Sequence, residues 1–182
     1  MNKIDDKTII HESENEFNSI IEDLTTHQTV QQMKNFIQHC DTTCYDHCIN
    51  VAYYSYLICK KYGLDFKSAA RGGMLHDLFL YNWRKREREV ELDGFHAFIH
   101  PKIALENSMK LFNLNNIEKD IILKHMWPIT LHLPKYKESY IITLVDKYCA
   151  IKESFDYFKK KKKIQKLYRY AYVFLSMLII KL

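Results

Sequence analysis

Four glycines and three prolines are the only residues in this 182-residue chain that break or reverse a backbone on their own. A fold of many short strands needs turn signals at close intervals, and this chain has too few to supply them. Long segments instead carry apolar residues every three to four positions. Phe17, Ile20, Ile21 and Leu24, then Val30, Met33, Phe36 and Ile37, show the pattern. That spacing lays one helix face against a core. With 47% hydrophobic and 14% aromatic residues, the chain has enough apolar side chain to fold rather than remain disordered. The expected class is all-α, a single-domain helical bundle.

Punctuation along the chain places the helices. Residues 1–12 read as frayed, and Ser13 with Glu16 three positions on forms a candidate capping box, opening a helix that runs to His39. The segment "CDTTCYDHC" interrupts it, because Asp41, Thr42 and Thr43 can each satisfy free backbone N–H groups. A helix follows through "HCINVAYYSYLICKKYG", with Gly63 as its C-cap, and the next covers about 66–81. "NWRKREREVELDGF" reads as a loop or short exposed helix. Pro101 suits the first turn of "PKIALENSMKLF". Then come "NIEKDIILKHM", stopped by Pro128, and "ESYIITLVDKYCAIKESF". A final helix holds the lysine run and "YRYAYVFLSMLIIKL". The expected organisation is a helical extension over 1–29, a main domain over 30–158 and a basic, apolar C-terminal helix over 159–182, packed on the domain or on a partner.

The net charge of +5 belongs to that last segment. Eight of the 27 basic residues and none of the 22 acids follow Phe158, which leaves residues 1–158 net acidic. A nucleic-acid footprint across the domain is therefore not expected. Five cysteines without an apolar leader at the polar N-terminus point to a reducing, cytoplasmic setting. No apolar run approaches the roughly 20 residues that span a bilayer.

One stretch is chemically out of place. "GGMLHDLFLYNW" sets His76 and Asp77 side by side among residues that fill a buried helix, where an uncompensated charge is costly to desolvate. His47, His100, His125 and Asp146 follow the same rhythm: the intervals from His47 through His76, His100 and His125 to Asp146 are each about one helix plus a loop. Helices of a bundle can each bring one such ligand inward, and a His/carboxylate set suits first-row metals such as iron, manganese or zinc.

The order His, His-Asp, His, His, Asp resembles the HD-domain superfamily of metal-dependent phosphohydrolases. The likeness covers roughly residues 30–155 and rests on "YDHCINVA", "LHD", "FIHPKIALEN", "ILKHMWP" and "LVDKYCA". It implies that His47, His76, Asp77 and Asp146 hold one divalent metal, that His100 and His125 serve a second, and that Asp77 bridges the two as the central catalytic carboxylate. A hydroxide between the cations would then cleave a small phosphate ester or nucleotide. The chain departs from the branch that cleaves cyclic di-GMP: it has no GYP motif, has His125–Met126 where that branch has a His doublet, and lacks its lysine shortly after His-Asp.

Other residues are candidates for substrate binding. Lys147, next to Asp146, can reach a phosphate or remain solvated. Arg71 can clamp a substrate oxygen or pair with a carboxylate. His96 faces the same site if its segment is helical and reads otherwise as a loop residue. Arg84, with Lys85, can gate an anionic substrate or lie on a solvated face. His11, His27, His39 and His132 read as surface or packing residues. Cys40, Cys44 and Cys48 lack the spacing of a metal chelate and read as small buried thiols. The run Lys159–Lys163 before an apolar helix offers peripheral contact with anionic lipid or self-association through the C-terminal helix. Two rival functions share these residues: a di-iron oxygenase of the same superfamily, and a non-catalytic, metal-stabilised binding module.

Overall fold

Helices carry nearly all of the regular structure, as the scarcity of turn residues requires. A computed structural model describes the backbone of residues 6–83 and 95–180 and the side chains of 11–83 and 95–166. Its helices are α1 (Asp6–Thr25), α2 (Gln28–Gln31), α3 (Cys44–Lys61), α4 (Phe66–Leu75), α5 (His96–Leu111), α6 (Asn116–Lys124) and α7 (Lys137–Ile180). Between α2 and α3 lie a 3-10 turn (Gln32–Asn35) and a small antiparallel hairpin of β1 (Ile37–His39) and β2 (Thr42–Thr43), in which Ile37 pairs with Thr43 and His39 with Thr42.

Several boundaries differ from the sequence reading, each for a local reason. The first helix already includes Asp6, so Ser13 lies inside it, and it stops at Thr25 rather than running to His39. The hydroxyls of Thr25 and Thr26 both turn back onto the Glu22 carbonyl, at 3.2 and 2.7 Å. Such back-bonding competes with the helix ladder, and His27 then caps α2 through Nδ1 on the Thr29 N–H. The helix expected over 66–81 ends at Leu75. Pro101 lies inside α5 rather than at its start. The two helices expected after Pro128 are one, because residues 137–180 contain neither Gly nor Pro to stop it.

The caps that fix the remaining helices are orthodox. Thr43 accepts from the Asp46 N–H at the start of α3, and Asp65 accepts from the Ser68 N–H at the start of α4. At α6, Asn115 and Glu118 form a reciprocal capping box, which satisfies two orphan N–H donors. Glu138 of α7 accepts the Asp65 N–H at 3.0 Å, fixing the start of α7 against the start of α4. Asp120 of α6 accepts from the Lys135 N–H and the Ser139 hydroxyl, and so holds the loop into α7.

Helix α4 sits at the centre, packed on α1, α3, α6 and α7. Phe17, Ile21 and Leu24 of α1 join Tyr56 of α3 and Met74 and Leu75 of α4 in one apolar cluster. Each such buried side chain contributes about 1.5–3 kcal/mol relative to exposure. Ile121, Ile142, Val145 and Val51 form a second cluster beside it. The close approach of α4 to α3 needs glycine: a Cβ on Gly73 would stand 2.8 Å from the Ala52 Cα.

Candidate metal centre

Helices α3, α5, α6 and α7 deliver one group each to a common point, and the end of α4 delivers two. His47 comes from the second turn of α3, which Thr43 starts; His100 comes from α5 and Asp146 from α7. His125 caps the C-terminus of α6, and His76 caps the C-terminus of α4. The early end of α4 answers how neighbouring residues can share a site. Inside a helix His76 and Asp77 would point about 100° apart. Past its last turn, where the Phe79 N–H folds back on the Asp77 carbonyl at 2.8 Å, both side chains turn to the same place. The chain leaves through Leu80 at φ 56°, a left-handed conformation that is costly for a residue with a side chain.

The six groups meet at short range. His47 Nε2 lies 3.0 Å from Asp146 Oδ1, and His76 Nε2 lies 3.8 Å from the same oxygen. His76 Nε2 is 3.5 Å from Asp77 Oδ2, while Asp77 Oδ1 is 3.3 Å from His100 Nε2 and 3.5 Å from His125 Nε2. Asp77 therefore stands between a His47–His76–Asp146 group and a His100–His125 pair, one oxygen toward each.

The imidazole tautomers decide what such a cluster can hold. A backbone carbonyl only accepts, so a ring nitrogen bonded to one must carry the proton. His76 Nδ1 donates to the Gly73 carbonyl at 2.7 Å, His100 Nδ1 to His96 at 2.8 Å and His125 Nδ1 to Ile122 at 2.8 Å. His47 Nδ1 donates to the Glu153 carboxylate at 3.0 Å. In its neutral form each ring thus directs Nε2, rather than Nδ1, at the centre. His100 Nε2 and His125 Nε2 are only 2.9 Å apart, lone pair against lone pair unless a cation or proton lies between them. His76 Nε2 and Asp77 Oδ1 are buried without a hydrogen-bond partner. Outward-donating Nδ1 groups that fix the inward Nε2 are the arrangement of metal-ligating histidines. The donor set fits divalent transition metals.

Electrostatics agree with the geometry. Burial disfavours the His47 imidazolium, but Asp146 and Glu153 on either side outweigh it and raise its pKa to about 10, so a metal ion binding at Nε2 displaces a proton there. Burial likewise works against ionised Asp77, yet the His76, His100 and His125 imidazoles around it hold it well below the usual carboxylate range. Asp146 is lowered in the same way by His47 and His76. Both carboxylates are thus ionised at neutral pH, ready to face a cation.

A cleft of about 230 Å³ opens over this cluster. Lys147, His96, Met126 and Ile129 line it, as do Gln38 and His39. Lys147 donates to the carbonyls of His125 and Thr143, and burial lowers its pKa. His96 lies on α5 rather than in a loop, and its ring stacks on His100 at 4.4 Å and on Trp83 at 5.1 Å. Arg71 is not in the cleft. Its guanidinium is held by Asp23 and Glu118 on the far side of α4, so of its two sequence readings the structure shows the ion pair. Arg84 and Lys85 lie outside the described residues.

Three residues near the centre escaped the sequence reading. Glu153 orients His47 and could have been found seven residues after Asp146, two turns along the same helix face. His39, taken as surface or packing, lines the cleft and meets His47 edge-on at 4.9 Å. Gln38 donates to Asp77 Oδ2 at 2.5 Å. The hairpin brings both of these in, and no periodicity announces it. Cys44 and Cys48 are buried thiols and Cys40 is half-buried.

A helical bundle that gathers histidines and carboxylates from successive helices around one buried point belongs to the metal-centre class of α proteins. The HD domain family model matches residues 44–151, well over half the chain, and the chain belongs to that family. No curated protein and no solved structure gives a significant match to the chain.

Proposed function

We propose that the protein is a metal-dependent phosphohydrolase that cleaves a small phosphate ester or a nucleotide. Membership of the HD family supports the reaction class. The observation that carries the reading is the convergence of four Nε2 atoms, each turned inward by the bond its Nδ1 makes, on Asp77 and Asp146. His47, His76 and Asp146 would hold one divalent iron, manganese or zinc ion. His100 and His125 would hold a second, with Asp77 between. Two such ions supply water of lowered pKa and clamp the phosphoryl oxygens.

The chain's own residues do the rest. Asp77 stays ionised between the two groups. Glu153 and the Gly73, His96 and Ile122 carbonyls keep each ring in its inward tautomer. Lys147 at the cleft wall meets an anionic oxygen of the substrate, and His96, braced between Trp83 and His100, presents a flat surface beside it. The test is phosphate release from a panel of phosphomonoesters and nucleotides by protein loaded with iron, manganese or zinc. Release that disappears in Asp77→Ala supports the proposal. Absence of release from the whole panel, together with oxygen uptake by the iron-loaded protein, would overturn it in favour of an oxygenase.

A further inference from the structure

Helix α7 has two faces with opposite assignments. Asp146, Ala150 and Glu153 look toward the metal centre and cleft. On the other side Leu144, Tyr148, Ile151, Phe155 and Phe158 follow one another at intervals of four, three, four and three residues. Each of these five side chains is 55–71 % exposed. The alternation is the a/d seam of a heptad repeat, and it lies on an uninterrupted helix of 44 residues. None of the five belongs to the site, and the core does not need the stripe.

The surface is too large to be incidental. Side chains of this size, exposed to this extent, leave roughly 550–600 Å² of mostly apolar area in water, at the upper end of the largest patch of a typical soluble monomer. Two such stripes face to face would bury about 1,100–1,200 Å², at the lower edge of the roughly 1,200–2,000 Å² of a specific interface. We propose that the stripe is the seam of a homodimer, in which α7 of one copy packs antiparallel along α7 of a second copy.

The stripe suits itself in that direction. Reversed, the four-three alternation sets each a position against a d position, so that Ile151 of one copy layers with Phe155 of the other and Tyr148 with Phe158, while Leu144 at each end lies against the aliphatic stem of Lys162. The exposed lysines Lys159–Lys163 decide between the two directions. In a parallel pair the two runs would lie side by side at the helix spacing of about 8–10 Å, close to one Debye length at physiological salt. Antiparallel pairing centred near residue 153 separates Lys161 from its counterpart by about 24 Å along the axis, where screening removes the repulsion. The seam also leaves the metal cleft open, because it lies on the opposite side of the helix.

Sedimentation velocity of the full chain at tens of micromolar tests this directly. The expected result is a species of twice the 21.9 kDa chain mass, reduced to a single chain by Ile151→Lys. Ile151 is 71 % exposed, so that variant should keep the helical circular dichroism of the wild type. Mixing Ile151→Cys with Phe155→Cys chains under oxidation should cross-link them, while Ile151→Cys alone should not. A wild-type chain that sediments as a monomer or as larger aggregates would overturn the proposal. So would a dimer that persists in Ile151→Lys, or one in which Ile151→Cys cross-links to itself as readily as in the mixture.

Discussion

Replacing Gly73 by alanine couples the packing of the fold to the metal centre. An added Cβ would stand 2.8 Å from the Ala52 Cα, 3.1 Å from the Ala52 nitrogen and 3.2 Å from Ile142 Cδ1. Ile142 can rotate away, but the backbone of α3 cannot. Carbon atoms rest at about 3.5–4.0 Å, so α4 must withdraw from α3 by close to 1 Å. Overpacking of this kind costs about 1–3 kcal/mol, against a gain of about 1 kcal/mol from the better helix propensity of alanine. Because the clash is with backbone rather than a side-chain tip, the cost falls in the upper part of that range, about 2–3 kcal/mol, and the net loss should be about 1–2 kcal/mol, lowering the unfolding midpoint by roughly 2–8 °C for a chain of this length. The Gly73 carbonyl also accepts the His76 Nδ1 proton, so its displacement should weaken metal binding as well. Gly72→Ala is the comparison: its nearest neighbours would be side-chain atoms of Ile121, at 2.8–3.1 Å, rather than the backbone of α3, so it should destabilise without drawing α4 away from α3. Thermal melts followed by circular dichroism, with and without metal, read both effects. A Gly73→Ala variant as stable as the wild type would refute the argument from close approach.

Arg71→Ala leaves the buried Glu118 carboxylate without its cation and should cost about 3 kcal/mol in denaturant unfolding, with turnover per folded chain unchanged. Lost turnover without lost stability would return Arg71 to substrate binding. Burial works to raise the pKa of Asp120, but Lys124, the Lys135 N–H and Ser139 outweigh it and hold it low. Its stabilisation is therefore fully present above the unfolded value near pH 4 and disappears as pH falls through the lower folded value. Asp120→Asn should be less stable than wild type by about 1–2 kcal/mol at neutral pH, with the gap closing below about pH 4; a gap that stays constant on acidification would contradict this. His100→Ala should retain one metal ion and lose the other, which elemental analysis reads; retention of both would remove His100 from the ligand set.

The parts of the site that could be read in advance are those whose spacing reports on helices. His47, His76, Asp77, His100, His125 and Asp146 recur at helix-plus-loop intervals, and the structure brings all six together. Their tautomers could not be read, because they depend on carbonyls freed at helix ends and on Glu153 across the bundle. The bends were also hidden. Nothing in the apolar pattern of 66–81 marks the end of α4 at Leu75, since Leu78 and Phe79 continue the run while packing outside the helix. The hairpin that carries Gln38 and His39 to the cleft follows residues with helical periodicity, and the Thr25–Thr26 back-bonds that break the helix earlier are side-chain chemistry invisible to a hydrophobic pattern. The exposed stripe of α7 was hidden for a related reason: Leu144, Ile151 and Phe155 share helical spacing with core residues, and only the packing shows that they face outward. Side chains of the apolar run 171–180, including Phe174, Leu175 and Leu178, lie outside the described residues.

Metal content per chain tests the central claim most directly, measured by elemental analysis of protein purified without chelator, alongside His125→Ala. About two transition-metal ions per wild-type chain, falling to about one in the variant, is the expected result for a paired site of this kind. No stoichiometric metal, even after reconstitution with iron, manganese and zinc, would contradict the account and leave the six converging residues as a structural network.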